Sequence, residues 1–173
     1  MDQDFLLMGK MRRGEEEAME LFVRKYYPRV LKYCSFHSGD KQRAEDLAQE
    51  TFLRFFRALA GYSYQGKNLN YLYTIARNLC ADIHRETREM SVEEFPELGE
   101  EKTAEIEERI AVKSALAKLP DELKEVVILR FFQEMRVKEI AKLLGIGVPS
   151  VKYRLKKALA VLEQVLGEKE KKG

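Results

Sequence analysis

Between Ala44 and Leu59 the residues of core type, Ala44, Leu47, Ala48, Thr51, Phe52, Phe55, Phe56 and Leu59, fall at i, i+3, i+4, i+7, i+8, i+11, i+12 and i+15. A strand would alternate in twos, so this spacing is incompatible with one; it lines a single side of a helix of about four turns. The same period recurs on either side. Ala18, Leu21, Phe22, Tyr26 and Val30 make a stripe in a segment of about 15–35, and Leu72, Ile75, Ala76, Leu79 and Ile83 make another in 69–88. Only four prolines and ten glycines interrupt 173 residues, and nearly every stretch between them keeps the helical period. The chain is predicted to be all-α.

The pattern stops once. Residues 89–109 hold nine glutamates against Lys102 and Arg109, a local balance of −7, with Pro96 and Gly99 and few apolar side chains. Such a segment reads as an extended acidic linker, most simply a solvated tether. Helical periodicity then resumes with Ile110, Ala111, Leu116 and Leu119, breaks at Pro120 and restarts through Leu123, Val126, Val127, Leu129 and Phe131. The expected organisation is two small helical domains, 1–88 and 110–173, joined by 89–109.

Cys34 and Cys80 are too few for a disulfide framework and fit a reducing interior. Phe5 to Met8 is too short an apolar run for a targeting peptide, and no stretch nears the roughly 18 apolar residues of a membrane span. A cytoplasmic protein without membrane insertion is expected. With 31 basic and 29 acidic residues the net charge is only +2, so any polyanionic partner must be sought in how charge is distributed.

One place concentrates it. In IGVPSVKYRLKKAL, residues 146–159, four cations fall between Lys152 and Lys157 with no acid among them. Just before, a short helix carrying Ile140, Ala141 and Leu144 ends at Gly145, which suits the left-handed conformation of a tight turn, and Ile146 is placed to plug the corner. Pro149 is tolerated if it lies in the first turn of the next helix. This is a helix-turn-helix pattern. Val151, Leu155, Ala158, Leu159 and Leu162 form the expected buried stripe of the second helix. Ser150, Tyr153, Lys156 and Lys157 lie opposite, and Lys152 and Arg154 flank the stripe. A charge run is ordinarily a solvated face, but the first turns of this helix are what enters the DNA major groove in such motifs. Lys152 and Arg154 are expected to grip phosphates; Ser150, Tyr153, Lys156 and Lys157 reach towards base edges.

The N-terminal domain carries a different pattern. GYSYQGKNLNYLYTIARN sets Tyr62, Tyr64, Tyr71 and Tyr73 within twelve positions, followed by Arg77, Asn78, Arg85 and Arg88. Thr74, Arg77, Arg85 and Arg88 point away from the apolar stripe, with Asn78 at its margin. Half-buried packing is the usual fate of clustered tyrosines; beside a basic face they also suit unpaired nucleic acid, whose bases stack on rings while cations follow the backbone. On the 44–59 helix Leu53 stands outside the stripe among Asp46, Gln49, Glu50, Arg54 and Arg57, an apolar anchor in a polar rim of the kind that docks proteins.

AEDLAQETFLRFFRAL, YLYTIARNLCADIHRETR and ALAKLPDELKEVVILRFFQEMRVKEIAKLLGIGVPSVKYRLKKA occur in the order and spacing of the bacterial extracytoplasmic-function sigma factors of the sigma-70 family, and GEEEAMELFVRKYYPRVLKYC resembles their opening helix. The resemblance covers nearly all of residues 5–165 apart from the linker. It implies that Asp46, Gln49, Glu50, Leu53, Arg54 and Arg57 meet the clamp helices of the largest subunit of core RNA polymerase. It further implies that Tyr62, Tyr64, Asn68, Tyr71, Tyr73, Thr74, Arg77, Asn78, Arg85 and Arg88 recognise and melt the promoter −10 element. Ser150, Lys152, Tyr153, Arg154, Lys156 and Lys157 would read the −35 duplex, near the polymerase flap region, and the linker would thread through the polymerase. An anti-sigma factor is a further implied partner, and no cofactor is implied. The chain departs from the family pattern at Asn68 and Tyr71, where an aromatic residue and a tryptophan are usual, and at Tyr153, where many members have serine. The bulk of Tyr153 should change the −35 sequence read.

Three other readings follow from the residues. Cys34 with His37, and Cys80 with His84, offer four zinc-type ligands, although cysteines on helices are ordinarily core residues. No nucleophile arrangement, glycine-rich phosphate loop or cofactor motif points to an enzyme. A dimeric helix-turn-helix regulator working without polymerase would use the C-terminal motif alone.

Overall fold

The computed structural model describes residues 3–63, 66–86, 111–112 and 114–171, with side chains described as far as 83 and 167 in the second and last of these stretches. Every regular element among the described residues is helical, as the spacing predicts. The chain divides into two compact units, Met1–Pro96 and Glu97–Gly173. Tyr64, Arg88 and residues 89–109 lie outside the described residues, as do the side chains of His84 and Arg85.

In the first unit, α2 (Glu16–His37), α3 (Lys41–Ala58) and α4 (Asn68–Glu86) each pack against the other two, and α1 (Gln3–Arg12) lies on α2. Asp40 starts α3 by accepting the Gln42 N–H at 3.0 Å, satisfying one of the free donors of the first turn. The stripe read from the sequence then goes inward: Ala44, Leu47, Ala48, Thr51, Phe52 and Phe55 are buried, and Thr51 satisfies its hydroxyl on the Leu47 carbonyl at 2.7 Å. Phe22 of α2 stacks on Phe55 at 4.7 Å and meets the edge of Phe52 at 6.2 Å, the offset and edge geometries that aromatic quadrupoles favour. Pro28 lies inside α2 but on its exposed side, as does Arg24, whose carbonyl loses its helical donor to the proline.

Three stripe expectations are corrected. Leu21 is exposed, because the buried apolar and aromatic set of α2 is Ala18, Phe22, Tyr26, Val30, Tyr33 and Cys34, and Leu21 stands about 100° to one side of Phe22. In α4 the stripe is rotated: Tyr73 and Cys80 are buried with Leu72, Ala76 and Leu79, while Ile75 and Ile83 are only half-buried. Ahead of residue 15 the apolar stripes read above place no element, yet α1 forms there. Its inward face is Asp4, Met8 and Met11, at i, i+4 and i+7, and the more conspicuous Phe5 and Leu6 face out.

In the second unit, helical residues 114–117 lead to Pro120, after which α5 (Asp121–Val127) restarts and runs into a π-helical turn, Ile128–Phe132. The wider turn advances the side chains, so Ile128 and Leu129 are buried and Phe131 is exposed. α6 (Val137–Leu144) and α7 (Val148–Lys171) follow, with α7 packed on both α5 and α6.

Candidate nucleic-acid interface

The turn between α6 and α7 forms as its residues require. Gly145 is left-handed at φ 67°, ψ 32°. The Ile146 N–H donates to the Ala141 carbonyl at 3.0 Å, closing the last turn of α6. Pro149 falls in the first turn of α7, and the Ser150 and Val151 N–H groups use the Gly147 carbonyl at 3.1 and 3.2 Å. Val151 and Ala158 are wholly buried against the rest of the unit. Their burial turns Ser150, Lys152, Tyr153, Lys156 and Lys157 to solvent.

Tyr153 is 64% exposed, and the Lys157 ammonium sits 5.9 Å from its ring centre. Arg154 behaves differently: half-buried, it lies 3.9 Å from the Glu122 carboxylate on α5. Ser150, Tyr153, Arg154 and Lys157 line a cleft of about 560 Å³ whose other wall includes Pro120 and Glu122. The cationic face is thus a ridge beside a groove. Leu159, expected in the buried stripe, is instead 46% exposed, and Leu155 is only half-buried. Ala158 lies about 20° from Val151 on the side away from Leu155 and Leu159, which stand about 40° and 80° round the helix, so the core is met by Val151 and Ala158.

In the first unit the tyrosines separate into two groups. Tyr62 and Tyr71 stack on each other at 4.5 Å and 24°, both half-exposed, and Phe55 supports them from below at 5.6 and 5.8 Å. The column runs from the core, Phe22 to Phe55, out to a paired ring surface. Burial lifts the Tyr62 phenol above its ordinary value of 10.0, with Tyr71 adding to the rise and Arg12 opposing it. The phenol therefore stays protonated at neutral pH and serves as a donor.

Two sequence-based assignments are corrected here. Tyr73 has no exposed surface; its ring packs 5.5 Å from Tyr33, so it holds α4 to α2 and offers nothing to a ligand. Asn68 is 1% exposed and turns inward, accepting from the Tyr62 hydroxyl at 3.1 Å and donating to Asp4 at 3.3 Å. It is a strut of the loop. Thr74 and Asn78 are exposed and Arg77 half-buried. Residues 71, 74 and 78 share one side of α4 at helical spacing, which sets the ring pair and the polar groups on a common surface.

On α3, Leu53 is 49% exposed. Glu50 accepts from Arg54 at 3.2 Å and lies 3.8 Å from Arg57, while Asp46 accepts from Gln42 at 3.2 Å. These pairs hold an ordered polar rim beside the leucine. Cys34 and Cys80 are both buried, and among the described residues no group of three or more His, Cys, Asp or Glu could hold a metal ion. No helix among them is long and apolar enough to cross a membrane. The residues that sequence reasoning missed are on α1: Arg12 donates to the Tyr62 carbonyl, and Asp4 accepts from Tyr26, Lys25 and Asn68. The spacing of Asp4, Met8 and Met11 was the available clue.

Comparison with known proteins matches residues 22–89 to Sigma-70 region 2 and residues 109–162 to Sigma-70, region 4. The chain is 31% identical over 170 residues to the ECF RNA polymerase sigma factor BldN of Streptomyces coelicolor, covering 92% of this chain and 64% of that one. It is 30% identical over 161 residues to the RNA polymerase sigma factor YlaC of Bacillus subtilis, covering 86% of this chain and 91% of that one. In fold it is similar to CnrH, solved in complex with the cytosolic domain of CnrY, with a TM-score of 0.76 at 23% identity, covering 96% of this chain and 99% of that one. Both halves match the same family, which leaves the dimeric regulator without support; members of that family are initiation factors, not enzymes. The chain belongs to the extracytoplasmic-function sigma factors of the sigma-70 family.

Proposed function

We propose that this protein directs core RNA polymerase to a set of promoters, the first unit capturing the unpaired −10 strand and the second reading the −35 duplex. The observation that carries the reading is the pairing, on one chain, of a half-exposed ring pair beside polar groups with an exposed cationic face on the second helix of a helix-turn-helix. The first suits stacking on unpaired bases and the second a duplex groove. On α7, Lys152, Tyr153, Lys156 and Lys157 meet the DNA directly with Ser150; Arg154 works from the groove edge, where Glu122 orients it. On the first unit Tyr62 and Tyr71 stack on bases, with Thr74, Arg77 and Asn78 beside them. Tyr64, Arg85 and Arg88 belong to the same proposal from sequence.

Leu53 with Asp46, Gln49, Glu50, Arg54 and Arg57 docks the clamp helices of core polymerase, and the second unit approaches the flap region. A net charge of +2 suits this division, because a strongly basic chain would bind DNA everywhere through counterion release. The protein acts in the cytoplasm, uses no cofactor and catalyses nothing itself. An anti-sigma partner is part of the proposal, supported by the sigma factor RpoE of Bartonella quintana, similar to this chain in fold, having been solved in complex with the anti-sigma factor NepR.

Run-off transcription from a promoter library, with and without core polymerase, tests the whole. New start sites that need both proteins, and that vanish with Leu53→Asp at unchanged duplex affinity, are the expected result. Redirected starts that persist undiminished with Leu53→Asp overturn the docking assignment. A protein that never redirects core polymerase overturns the function.

A further inference from the structure

The tyrosine loop is tied at both ends to α1, a helix that the apolar stripes of the sequence did not mark. At its start, Arg12 of α1 donates to the carbonyls of Tyr62 and Leu59, the latter at 3.4 Å. At its end, Asn68 donates to Asp4 of α1 at 3.3 Å. The two ends are also joined to each other, since the Tyr62 hydroxyl donates to Asn68 Oδ1 at 3.1 Å.

Asp4 decides how this arrangement is oriented. Its carboxylate is 6% exposed by residue and also accepts from Lys25 at 2.6 Å and from the Tyr26 hydroxyl, both on α2. An ionised carboxylate accepts only, so Asn68 must turn its amide nitrogen towards Asp4. Its oxygen then faces Tyr62, which must donate. That requirement fixes the direction of the Tyr62 hydroxyl and, with it, the ring that stacks on Tyr71 at 4.5 Å. A buried ionised group is a poor source of net stability compared with an apolar side chain, and is better suited to enforcing one arrangement. Here the arrangement it enforces ends on a half-exposed aromatic surface.

We propose that α1 braces the −10 reading surface, with Asp4 and Arg12 as positioning residues that set Tyr62 and Tyr71 before the unpaired strand arrives. The inference rests on the reading of that ring pair as the −10 surface. Without the brace, the Tyr62 and Tyr71 rings must be set by the ligand, and the ordering cost is taken from binding. The brace therefore acts on strand capture and leaves the −35 helix and the Leu53 face alone.

The test uses holoenzyme reconstituted from core polymerase and the full chain. Its probes are a fluorescent single-stranded oligonucleotide from the non-template strand of a library-selected promoter and the matching −35 duplex. Asp4→Asn keeps shape but offers Asn68 an amide, so either end of the Asn68 side chain can face it. Single-strand affinity is expected to fall about 5- to 10-fold, and about 3-fold for Arg12→Ala, whose exposed position protects the fold. Core affinity and −35 affinity stay within about twofold in both. Combining Asp4→Asn with Tyr62→Phe should add little to the larger single effect, because both break the same relay.

Wild-type single-strand affinity in both variants overturns the brace. So does a parallel loss of core, −35 and single-strand binding, which would mark a purely structural role. If the wild-type holoenzyme fails to bind the single strand, or Tyr71→Ala leaves that binding unchanged, the −10 reading itself falls and takes the brace with it; that outcome is visible before any α1 variant is made.

Discussion

The two units present their functional groups in opposite ways. In the second, one helix supplies nearly everything: Val151 and Ala158 anchor α7, and Lys152, Tyr153, Lys156 and Lys157 follow outward from the helical period. In the first, the ring pair is assembled from three places in the chain, with Tyr62 after α3, Tyr71 on α4 and Phe55 beneath them on α3, and α1 adds the ties. A surface carried by one helix tolerates much change elsewhere in its unit. A surface built across several elements shares its stability with the core that assembles it.

The largest test of that contrast is Phe55→Ala. It removes the floor of the ring pair and the Phe22 stack together, and should cost about 3–5 kcal/mol of stability in the first unit. Hydrogen exchange in the full chain would localise the loss. If amides of α4 lose protection while those of α6 and α7 do not, the units are separable in stability; a loss spread through both would remove the contrast.

Next in size is the double charge reversal Lys156→Glu, Lys157→Glu. Two cations become anions on the face proposed to meet the duplex, so −35 duplex affinity of the holoenzyme should fall about 30- to 100-fold, with a shallower dependence on salt. Single-strand binding is the informative control. It should not change, and a comparable fall there would show that the two surfaces act as one.

A smaller effect is expected from Gly145→Ala, which places a Cβ at φ 67°. Nothing lies within 4 Å of the added atom, so the cost is conformational only, about 1 kcal/mol, seen as a lowered melting point. Because the turn also sets the direction of α7, −35 affinity should fall with it, whereas single-strand affinity should not.

The smallest is alkaline. Burial raises the Tyr62 and Tyr27 phenols above 10.0, with Tyr71 and Glu45 respectively adding to the rise. The native state therefore holds these protons more tightly than the unfolded chain does. The corresponding stability is complete below pH 10 and is lost as pH rises through the higher folded values. Denaturant melts of the full chain above pH 10 should show a decline that Tyr62→Phe reduces; an unchanged decline in that variant would assign the effect elsewhere.

The sequence by itself determined the helical class, the α3 stripe, the restart at Pro120, and the outward cationic face of α7. Each depends on residues within a few turns of one another, where the 3.6-residue period and local backbone preferences decide the outcome. Even there the rule had limits. Leu21 and Leu159 had the right character for a core but lay at the edge of their stripes, and only the neighbouring helices decide which edge is covered. The interior fates of Tyr73 and Asn68 and the placement of α1 were beyond a one-dimensional reading for the same reason. Tyr73 is buried because Tyr33, forty residues earlier, offers it a ring. Asn68 is buried because Asp4, sixty-four residues away, offers it a carboxylate. Local spacing says which side chains share a helix face; tertiary structure alone says which distant group that face meets, because burial and hydrogen bonding are satisfied by whatever the fold brings near, at any separation along the chain.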